Sequence, residues 1–307
     1  MPRPPRVSVL MAVHNASPYL RQAVDSVLGQ TLREVELLAV DDASTDDSLA
    51  ILQACAARDA RVRVFRQMRN QGQAEARNLA LRHATGDFVC MLDADDWFSP
   101  DALEQAVRPL ADERVGCVVF RLIEHRGDCA MPYPSVGETA LTGEEAFRLA
   151  LDWRLHGLCL VRRTLHLSYP YDTACRLYSD DNTSRLHYLH SPLVAFCPGE
   201  YHYRKHEASS TSRISPDRFL YMQANLSLRD TLVRESAPAH LLAAYERIRW
   251  HNYLGQLRLF HRHRAAFSPA DRRRLHADFR RIYLTFGRRL PFPIFEFRQW
   301  LGYLLHR

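Results

Sequence analysis

The first 110 residues alternate short apolar runs with segments of helical periodicity, and this alternation restricts the possible fold more than any other feature of the chain. The runs at 7–13, 36–40, 62–65 and 88–92 have the length and composition of buried strands. Segments with apolar residues at helical spacing lie between them, the last at 73–84. Strands that alternate with helices in this way pair in parallel. The sequence therefore predicts an α/β fold of the doubly wound type with a mainly parallel sheet.

Carboxylates follow two of these strands. Asp41-Asp42 ends the second strand, and Asp93-Ala94-Asp95-Asp96 follows the fourth. Ligands of open α/β sheets bind beyond the carboxyl ends of the strands, so both clusters are expected at one binding edge. Three carboxylates within four positions repel one another unless a cation neutralises them, and Mn²⁺ or Mg²⁺ prefers such oxygen ligands. An isolated D-x-D is more often a solvated acidic turn than a metal site, so the choice between the two depends on the surrounding sequence.

A nucleotide is the ligand that would suit both clusters. Ionised carboxylates accept hydrogen bonds from a base or ribose, and a metal would hold a diphosphate. The sequence has neither a G-x-x-x-x-G-K-[ST] loop nor a G-x-G-x-x-G turn, so no P-loop or dinucleotide-binding fold is indicated. Sugar transfer heads the remaining possibilities. A phosphatase with D-x-D on its first strand is disfavoured, because that strand ends in His14-Asn15.

Composition limits the surroundings in which the chain works. Its 307 residues, 47% of them apolar, suffice for one large α/β domain with an appendage. Seven scattered cysteines without a C-x-x-C pair favour a reducing compartment over disulfides or structural zinc. The sequence shows no signal peptide and no run as long as a membrane span. We expect a cytoplasmic location.

Charge divides the chain into an acidic front and a basic tail. Residues 1–217 carry a net charge of −5 and residues 218–307 carry +11, which agrees with the total of +6. The tail has helical periodicity and an aromatic end at 290–305. Such a tail suits peripheral contact of residues 259–307 with the anionic cytoplasmic face of the inner membrane. The alternative is a helical subdomain that packs on the core or on a second subunit. No nucleic-acid recognition module is present.

Five ordered blocks in the first 110 residues resemble the N-terminal half of family 2 glycosyltransferases with the GT-A fold. The blocks are 7–15, 26–31, 39–46, 70–78 and 91–100. The resemblance implies a GT-A catalytic domain at 1–215, with a nucleotide-binding half at 1–110 and an acceptor-binding half at 111–215, followed by a helical region at 216–307. It also implies metal-assisted transfer from a nucleotide-sugar donor, with UDP as the expected nucleotide and inversion at the anomeric carbon.

The resemblance assigns roles to individual residues. Asp95 is the expected metal ligand, with Asp93 beside it at the metal or the ribose. Arg77 is expected to face the nucleotide or its phosphates, although it could be a surface arginine paired with Glu75 or Asp87. The other residues assigned to the nucleotide-sugar site are Ala12, His14, Asn15, Asp41, Asp42, Ala94 and Arg204.

Some residues near the acidic clusters have structural alternatives. Asp41 could have a purely structural role, in which it fixes its own turn through the backbone groups near Ser44. Asp96 is expected to cap the next turn rather than bind the metal. Trp97 and Phe98 are expected to pack rather than to stack on a sugar.

An inverting displacement also needs a base that deprotonates the acceptor hydroxyl, and a carboxylate near the sugar is the usual choice. The segment 178–182 resembles the acidic pair that precedes the family's acceptor helix. Asp181 is the expected base and Asp180 is its close rival. The alternative is that this segment merely caps a helix.

A strand expected at 200–206 would bring cationic side chains to the donor. Alternation puts Arg204 and His206 on one face, where they could close over the diphosphate as charge develops on the leaving group. His206 is also a candidate third metal ligand. The serine-rich stretch at 209–212 suits a lid that orders on donor binding. The alternative is an ordinary edge strand followed by a loop.

The sequence thus predicts a metal-dependent inverting glycosyltransferase that acts on a saccharide or lipid-linked saccharide acceptor in cell-surface glycan synthesis. Acceptor specificity is expected within 120–215, where four residues could line a sugar site or merely pack: Arg121, His125, Trp153 and His156. The alternative function is that of a catalytically inactive relative that binds a partner or a membrane through its basic tail. Either protein could form a homo-oligomer.

Overall fold

The structure is a computed structural model, and it describes residues 4–134, 136, 139–175, 177–206 and 214–286. The described strands are β1 (Val7–Val13), β2 (Val35–Asp41), β3 (Val62–Arg66), β4 (Phe88–Met91), β5 (Trp97–Phe98), β6 (Val115–Arg126), β7 (Cys129–Pro132), β8 (Leu141–Thr142), β9 (Cys159–Arg162) and β10 (Leu193–Lys205). The described α-helices are α1 (Ser17–Leu28), α2 (Ser48–Arg58), α3 (Gln73–Arg82), α4 (Ala102–Val107), α5 (Gly143–Leu151), α6 (Arg163–Ser168), α7 (Ser179–Leu189), α8 (Leu220–Arg234), α9 (Ala239–His263) and α10 (Pro269–Leu284).

The described strands belong to one mixed sheet. Its order is β3-β2-β1-β4-β9-β6-β10-β5, with β7 paired to β6 and β8 paired to β10. The strands β3, β2, β1 and β4 are parallel neighbours, and β6 is parallel to β10. By contrast, β9 runs antiparallel to β4 and β6, and β5 runs antiparallel to β10. The prediction of a mainly parallel sheet is confirmed, and the carboxyl ends of β1, β2 and β4 meet at one edge.

Helices cover both faces of this sheet. Alternate side chains of a strand point to opposite faces. In β1, Val9 and Met11 pack with α1, α2 and α4, whereas Leu10 packs with α3. All three side chains are fully buried. Farther along the sheet, α5 and α7 pack over β6 and β9. The apolar runs of the sequence are therefore buried on both faces, as parallel strands between helices require.

Gly86 allows β4 to approach β1. It lies outside the preceding helix, because α3 ends at Arg82 and has His83 as its C-cap. A Cβ atom at position 86 would lie 2.8 Å from the backbone nitrogen of Ser8, which is closer than van der Waals contact allows. The Gly86 N–H instead donates a hydrogen bond to Ser8 Oγ at 2.9 Å. Close backbone approach therefore accounts for this glycine.

The C-terminal helices pack on one another and on α5 and α7. A cluster around Phe219 joins α8, α9 and α10, and a second cluster joins α8 and α9 to α5 and α7 through Phe147 and Tyr245. Among the described helices, none is long and apolar enough to cross a membrane. The aromatic end at 290–305 lies outside the described residues, and the predicted domain boundary at 215 stays a prediction.

Candidate active site

A cleft of about 550 Å³ opens at the edge of the sheet where β1, β2 and β4 end. This volume lies within the usual range of small-ligand sites. Side chains from α1, from the segment before α3, from the end of β10 and from the start of α8 complete its walls. The predicted site residues that line the cleft are Ala12, His14, Asn15, Asp42, Asp93, Ala94, Asp95 and His206.

Asn15 joins the loops that follow β1 and β2. Its backbone φ of 52° lies in the left-handed region, which asparagine tolerates better than most residues. Its side-chain oxygen accepts a hydrogen bond from the Thr45 N–H at 2.8 Å, and its own N–H donates to Ser44 Oγ at 3.1 Å. His14 Nδ1 lies 2.9 Å from the Asp42 carbonyl oxygen. Because a carbonyl can only accept, Nδ1 carries a proton, and the ring is held at the cleft wall.

The two aspartates at the end of β2 hold backbone segments in place. Asp42 accepts hydrogen bonds from the N–H groups of Gln71 at 2.7 Å and Gly72 at 2.8 Å, one on each carboxylate oxygen. Asp41 is fully buried and accepts from the Ser44 N–H at 3.3 Å. Asp41 does not line the cleft, so its contacts are those of the turn-fixing alternative. The pair therefore shapes this end of the cleft.

Three carboxylates converge where β4 ends. Ligand oxygens of Asp93, Asp95 and Asp96 lie within 4.8 Å of one another. Burial and the charge of Asp93 raise the pKa of Asp95, whereas a contact of 2.9 Å between its Oδ2 and His206 Nε2 opposes this shift. Crowded carboxylates offer the oxygen ligands that suit Mn²⁺ or Mg²⁺. The residues present therefore fit a divalent metal, with Asp93 and Asp95 facing the cleft.

Asp96 has a different role from its neighbours. It is 1% exposed, and it accepts hydrogen bonds from the Tyr201 hydroxyl at 2.9 Å and from the Arg204 N–H at 2.7 Å. The Tyr201 hydroxyl in turn accepts from the Asp93 N–H at 3.1 Å. Burial and the charges of Asp93 and Asp95 raise the pKa of Asp96. The prediction that Asp96 caps the next turn is wrong, because this carboxyl group fastens β10 to the acidic loop.

Arg77 is buried beneath the cleft. It is 1% exposed and forms an ion pair with Asp93, so the alternative of a surface arginine paired with Glu75 or Asp87 is wrong. Burial alone would lower the pKa of Arg77, but the charges of Asp93 and Asp180 raise it above its usual value. Arg77 does not line the cleft, and it positions Asp93. Its predicted contact with the nucleotide stays a prediction.

Arg204 holds the acidic loop against α1. Its guanidinium carbon lies 4.8 Å from the ring centre of Tyr19 and 4.7 Å from that of Trp97. Its Nε donates a hydrogen bond to the Asp95 carbonyl oxygen at 2.9 Å, and its Nη2 donates to Gln22 Oε1 at 2.6 Å. Arg204 does not line the cleft itself. It places a fixed positive charge against the backbone of the acidic loop.

The strand that carries Arg204 is internal. It is β10, which lies between β6 and β5, so the edge-strand alternative is wrong. His206 follows the strand and lines the cleft, with its ring centre 5.0 Å from that of Tyr19. Its imidazole thus reaches the carboxylate cluster, as its predicted role as a third metal ligand requires. The proposed lid at 209–212 lies outside the described residues.

Asp180 and Asp181 lie in the first turn of α7. The N-cap of this helix is Tyr178, with a φ of 66°, and its side chain forms no capping hydrogen bond. Acidic residues in the first turn also favour a helix, so the structural alternative stays open beside the predicted catalytic role. Burial and the charge of Asp180 raise the pKa of Asp181 to about 7, although Arg185 and Arg77 oppose the shift. A carboxyl group that titrates near neutral pH is suited to accept a proton. Neither aspartate lines the cleft, but the charge of Asp180 reaches Arg77.

Several residues of the cleft wall were not among the predicted site residues. They include Pro18 and Tyr19 of α1, and Leu177, Asp217 and Leu220 farther along the chain. Asp217 belongs to a 3-10 helix at Pro216–Phe219, and Leu220 begins α8. Both lie in the region that we expected to be a separate tail, and no local pattern indicates that the chain returns to the cleft there.

Comparison with known proteins gives the family of the chain. The family model described as Glycosyl transferase family 2 matches residues 8–154. The putative glycosyltransferase EpsH of Bacillus subtilis is 30% identical over 242 residues, which cover 74% of this chain and 68% of EpsH. Glycosyltransferase GlyG of Streptococcus pneumoniae is 26% identical over 66% of this chain and 72% of GlyG. An uncharacterized glycosyltransferase of Haemophilus influenzae is 43% identical, but the match spans 33% of this chain and only 40% of that protein.

Solved structures share the fold. S. aureus TarS in complex with UDP-GlcNAc aligns with a TM-score of 0.65 and 21% identity over 79% of this chain and 70% of the TarS chain. The mannosyltransferase PcManGT from Pyrobaculum calidifontis, in complex with GDP-Man and Mn²⁺, aligns with a TM-score of 0.60 and 21% identity over 90% of this chain and 80% of that chain. At such identities the likeness concerns the fold, whereas the match to EpsH extends over more than two thirds of both chains. This chain therefore belongs to glycosyl transferase family 2, and it is a glycosyltransferase with the GT-A fold.

Proposed function

We propose that the protein transfers a sugar from a UDP-sugar to a saccharide or lipid-linked saccharide acceptor, with Mn²⁺ or Mg²⁺ as cofactor and with inversion at the anomeric carbon. The observation that carries the proposal is that a single cleft contains Asp42, which follows β2, and the pair Asp93 and Asp95, which follows β4, on either side of β1. One end of such a cleft suits a nucleoside and the other suits a metal-bound diphosphate. Cell-surface glycan synthesis is the setting that the family suggests.

The nucleoside would occupy the end of the cleft that Ala12, His14 and Asp42 line. The imidazole of His14 offers a flat ring on which a base can stack, and Asn15 keeps the two loops together. Asp41 would support this pocket from below. Two fold neighbours support a nucleotide-sugar donor, since TarS is in complex with UDP-GlcNAc and the mannosyltransferase with GDP-Man.

Asp95 and Asp93 would hold the divalent metal, with His206 as a third ligand and Ala94 as the spacer between the carboxylates. A metal at this position would neutralise the negative charge that develops on the departing diphosphate. Burial and crowding of like charges raise the pKa of Asp95, which supports a cation at this site. The mannosyltransferase in complex with Mn²⁺ is consistent with this assignment. Arg204, beside the same loop, would add a fixed positive charge.

Asp181 would act as the general base. It would take the proton of an acceptor hydroxyl while the hydroxyl oxygen forms a bond to the anomeric carbon and the bond from that carbon to the diphosphate oxygen breaks. Attack from the face opposite the leaving group inverts the configuration. The pKa of Asp181, raised by burial and by Asp180 to about 7, supports this role. Asp180 is the rival base, although it lies nearer to Arg77.

We also propose a peripheral location at the cytoplasmic face of an anionic membrane. The support is the basic surface of α10, on which Arg273 and Arg280 are exposed. Each such arginine near an anionic surface contributes about 1 kcal/mol to binding. The same surface would also permit contact between two copies of the chain. We do not propose nucleic acid as a partner.

Thermal unfolding in the presence of UDP, GDP or dTDP, each with and without Mn²⁺, tests the proposal. We expect UDP with Mn²⁺ to stabilise the protein by about 2.7 kcal/mol at a concentration 100 times its Kd, and the other nucleotides to stabilise it less. The Asp95→Asn variant should lose the part of the shift that depends on Mn²⁺. Equal stabilisation by all three nucleotides, or none by UDP, would contradict the proposal.

A further inference from the structure

Trp153 has an unusual backbone conformation. It directly follows Asp152, the C-cap residue of α5, and its φ is 65°. Glycine is usual at this position in the left-handed region, because a side chain crowds the backbone there, and a bulky residue is an outlier. Nevertheless, Trp153 is 44% exposed. The turn therefore keeps a large aromatic side chain at a strained position on the surface.

A buried arginine supports the indole ring. The guanidinium carbon of Arg185 lies 5.4 Å from the ring centre, and Arg185 itself is 4% exposed. Arg185 Nε donates a hydrogen bond to the Ala150 carbonyl oxygen near the end of α5, at 3.2 Å. The Tyr133 hydroxyl donates to the carbonyl oxygen of Trp153. These contacts hold the ring from beneath and leave part of its surface accessible to solvent.

The same arginine brings the indole close to the proposed base. Asp181 and Arg185 are four residues apart on α7, so their side chains are neighbours on one face of the helix. Burial and nearby carboxylates, Asp181 among them, raise the pKa of Tyr133, which is a second sign that these groups are close. Arg185 therefore contacts the indole of Trp153 and lies one helical turn from Asp181.

We propose that Trp153 is the platform on which a sugar ring of the acceptor stacks, beside the helix that carries Asp181. This inference rests on the proposed function. A pyranose offers an apolar C–H face to an aromatic ring, while its hydroxyl groups need polar partners around the edge. Asp152 and Arg154, which flank Trp153, are exposed and form an ion pair of 2.9 Å. One aromatic ring with charged neighbours fits a saccharide better than a lipid chain.

Saturation-transfer NMR with methyl glycosides of glucose, galactose, mannose, N-acetylglucosamine and N-acetylgalactosamine tests the platform directly. The wild type and Trp153→Phe should bind at least one of these glycosides, whereas Trp153→Gly should bind it at least about tenfold more weakly. Glycine relieves the left-handed conformation, so Trp153→Gly should melt no lower than the wild type. A loss of glycoside binding can thus be distinguished from a loss of folding.

Ser236→Gly is a matched control. Ser236 follows Glu235, the C-cap residue of α8, and its φ is 55°. The substitution therefore relieves the same type of conformation at the end of another helix. It should leave glycoside binding unchanged.

Unchanged glycoside binding in Trp153→Gly would overturn the proposal, as would the absence of binding of all five glycosides to the wild type. A lower melting temperature of Trp153→Gly would assign the ring a structural role instead. UDP binding with Mn²⁺, measured on the same samples, separates the two hypotheses. If the wild type binds glycosides through Trp153 but binds no nucleotide, the proposed function fails while the platform stands. If UDP binds and the glycosides do not, the platform alone fails.

Discussion

Replacement of Asp181 by asparagine should make the fold more stable at pH 8 while it removes most of the transfer activity. Burial and the charge of Asp180 raise the pKa of Asp181 from the usual 3.8 to about 7. This rise of the pKa corresponds to at most about 4 kcal/mol of unfavourable free energy for the ionised form. Because the side chain is only partly buried, we expect about 1–2 kcal/mol. Asparagine carries no charge and should recover this amount.

The stabilisation should depend on pH in a defined direction. The raised pKa means that the folded protein binds more protons at Asp181 than the unfolded chain does between about pH 4 and about pH 7. The stability of the wild type therefore falls as the pH rises through this window. The Asp181→Asn variant does not titrate there. The difference between the two proteins should be small at the acid end of the window and should reach its full size above about pH 7.

Thermal unfolding and UDP release measure the two effects. For a chain of this size, about 1–2 kcal/mol raises Tm by roughly 2–6 °C, and we expect this rise at pH 8 and little change near pH 4. Loss of a general base should lower kcat by about 10²–10⁴. An Asp181→Asn variant that is less stable at pH 8, or one that retains its kcat, would refute the reasoning.

Asp46 provides a control with the opposite sign. Although burial opposes the effect, hydrogen bonds from Ser48 and Ser17 lower the pKa of Asp46 to about 2. Its ionised form therefore stabilises the fold above the unfolded-state pKa of 3.8, and this contribution is lost as the pH falls through about 2. Asp46→Asn should accordingly lower Tm at pH 8, where Asp181→Asn raises it.

Three further changes test the metal site, the loop anchor and the sheet. Asp95→Asn should lower turnover at least about 100-fold, since one proposed metal ligand is lost. If Mn²⁺ stimulated turnover of this variant as strongly as it stimulates the wild type, the assignment would be contradicted. Arg204→Lys should lower kcat/KM about tenfold in steady-state assays. The planar guanidinium stacks between two aromatic rings and donates hydrogen bonds in its own plane, and a lysine cannot do both. An unchanged kcat/KM would contradict this reasoning. Gly86→Ala should lower the free energy of unfolding in urea by about 1–3 kcal/mol, since its Cβ meets the backbone of β1. Gly255→Ala, where a Cβ meets nothing within 4 Å, should instead raise it by about 0.5–1 kcal/mol, and equal effects of the two changes would argue against a steric cause.

The nucleotide half of the fold could be predicted because its signals are local. Each of its strands is a short apolar run that is buried between helices, and the alternation with helices implies parallel pairing. Parallel pairing then brings Asp42, Asp93 and Asp95 to one edge, as the structure shows. The antiparallel strand β9 gave no such signal, because its direction depends on contacts with β4 and β6 that are distant in sequence.

The roles of single acidic residues could not be read from their neighbours in the chain. Asp96 has the same sequence context as Asp95, yet its partners Tyr201 and Arg204 lie 105 and 108 residues away. Whether a carboxylate faces a cleft or a buried hydroxyl depends on where such distant groups lie. A pattern of charges can therefore locate an acidic loop, but the contacts of the folded chain decide which oxygens remain for a ligand.

The buried position of Arg77 shows how the two halves of the site are held in relation to each other. A buried guanidinium is destabilising unless carboxylates compensate its charge. Arg77 has two such groups within reach of its charge, Asp93 after β4 and Asp180 at the start of α7. Asp93 belongs to the proposed metal site, and Asp180 is adjacent to the proposed base Asp181. The electrostatic requirement of one buried cation therefore links the proposed metal site to the helix of the proposed base, and in-line attack on the sugar would require these two sites to keep a fixed separation.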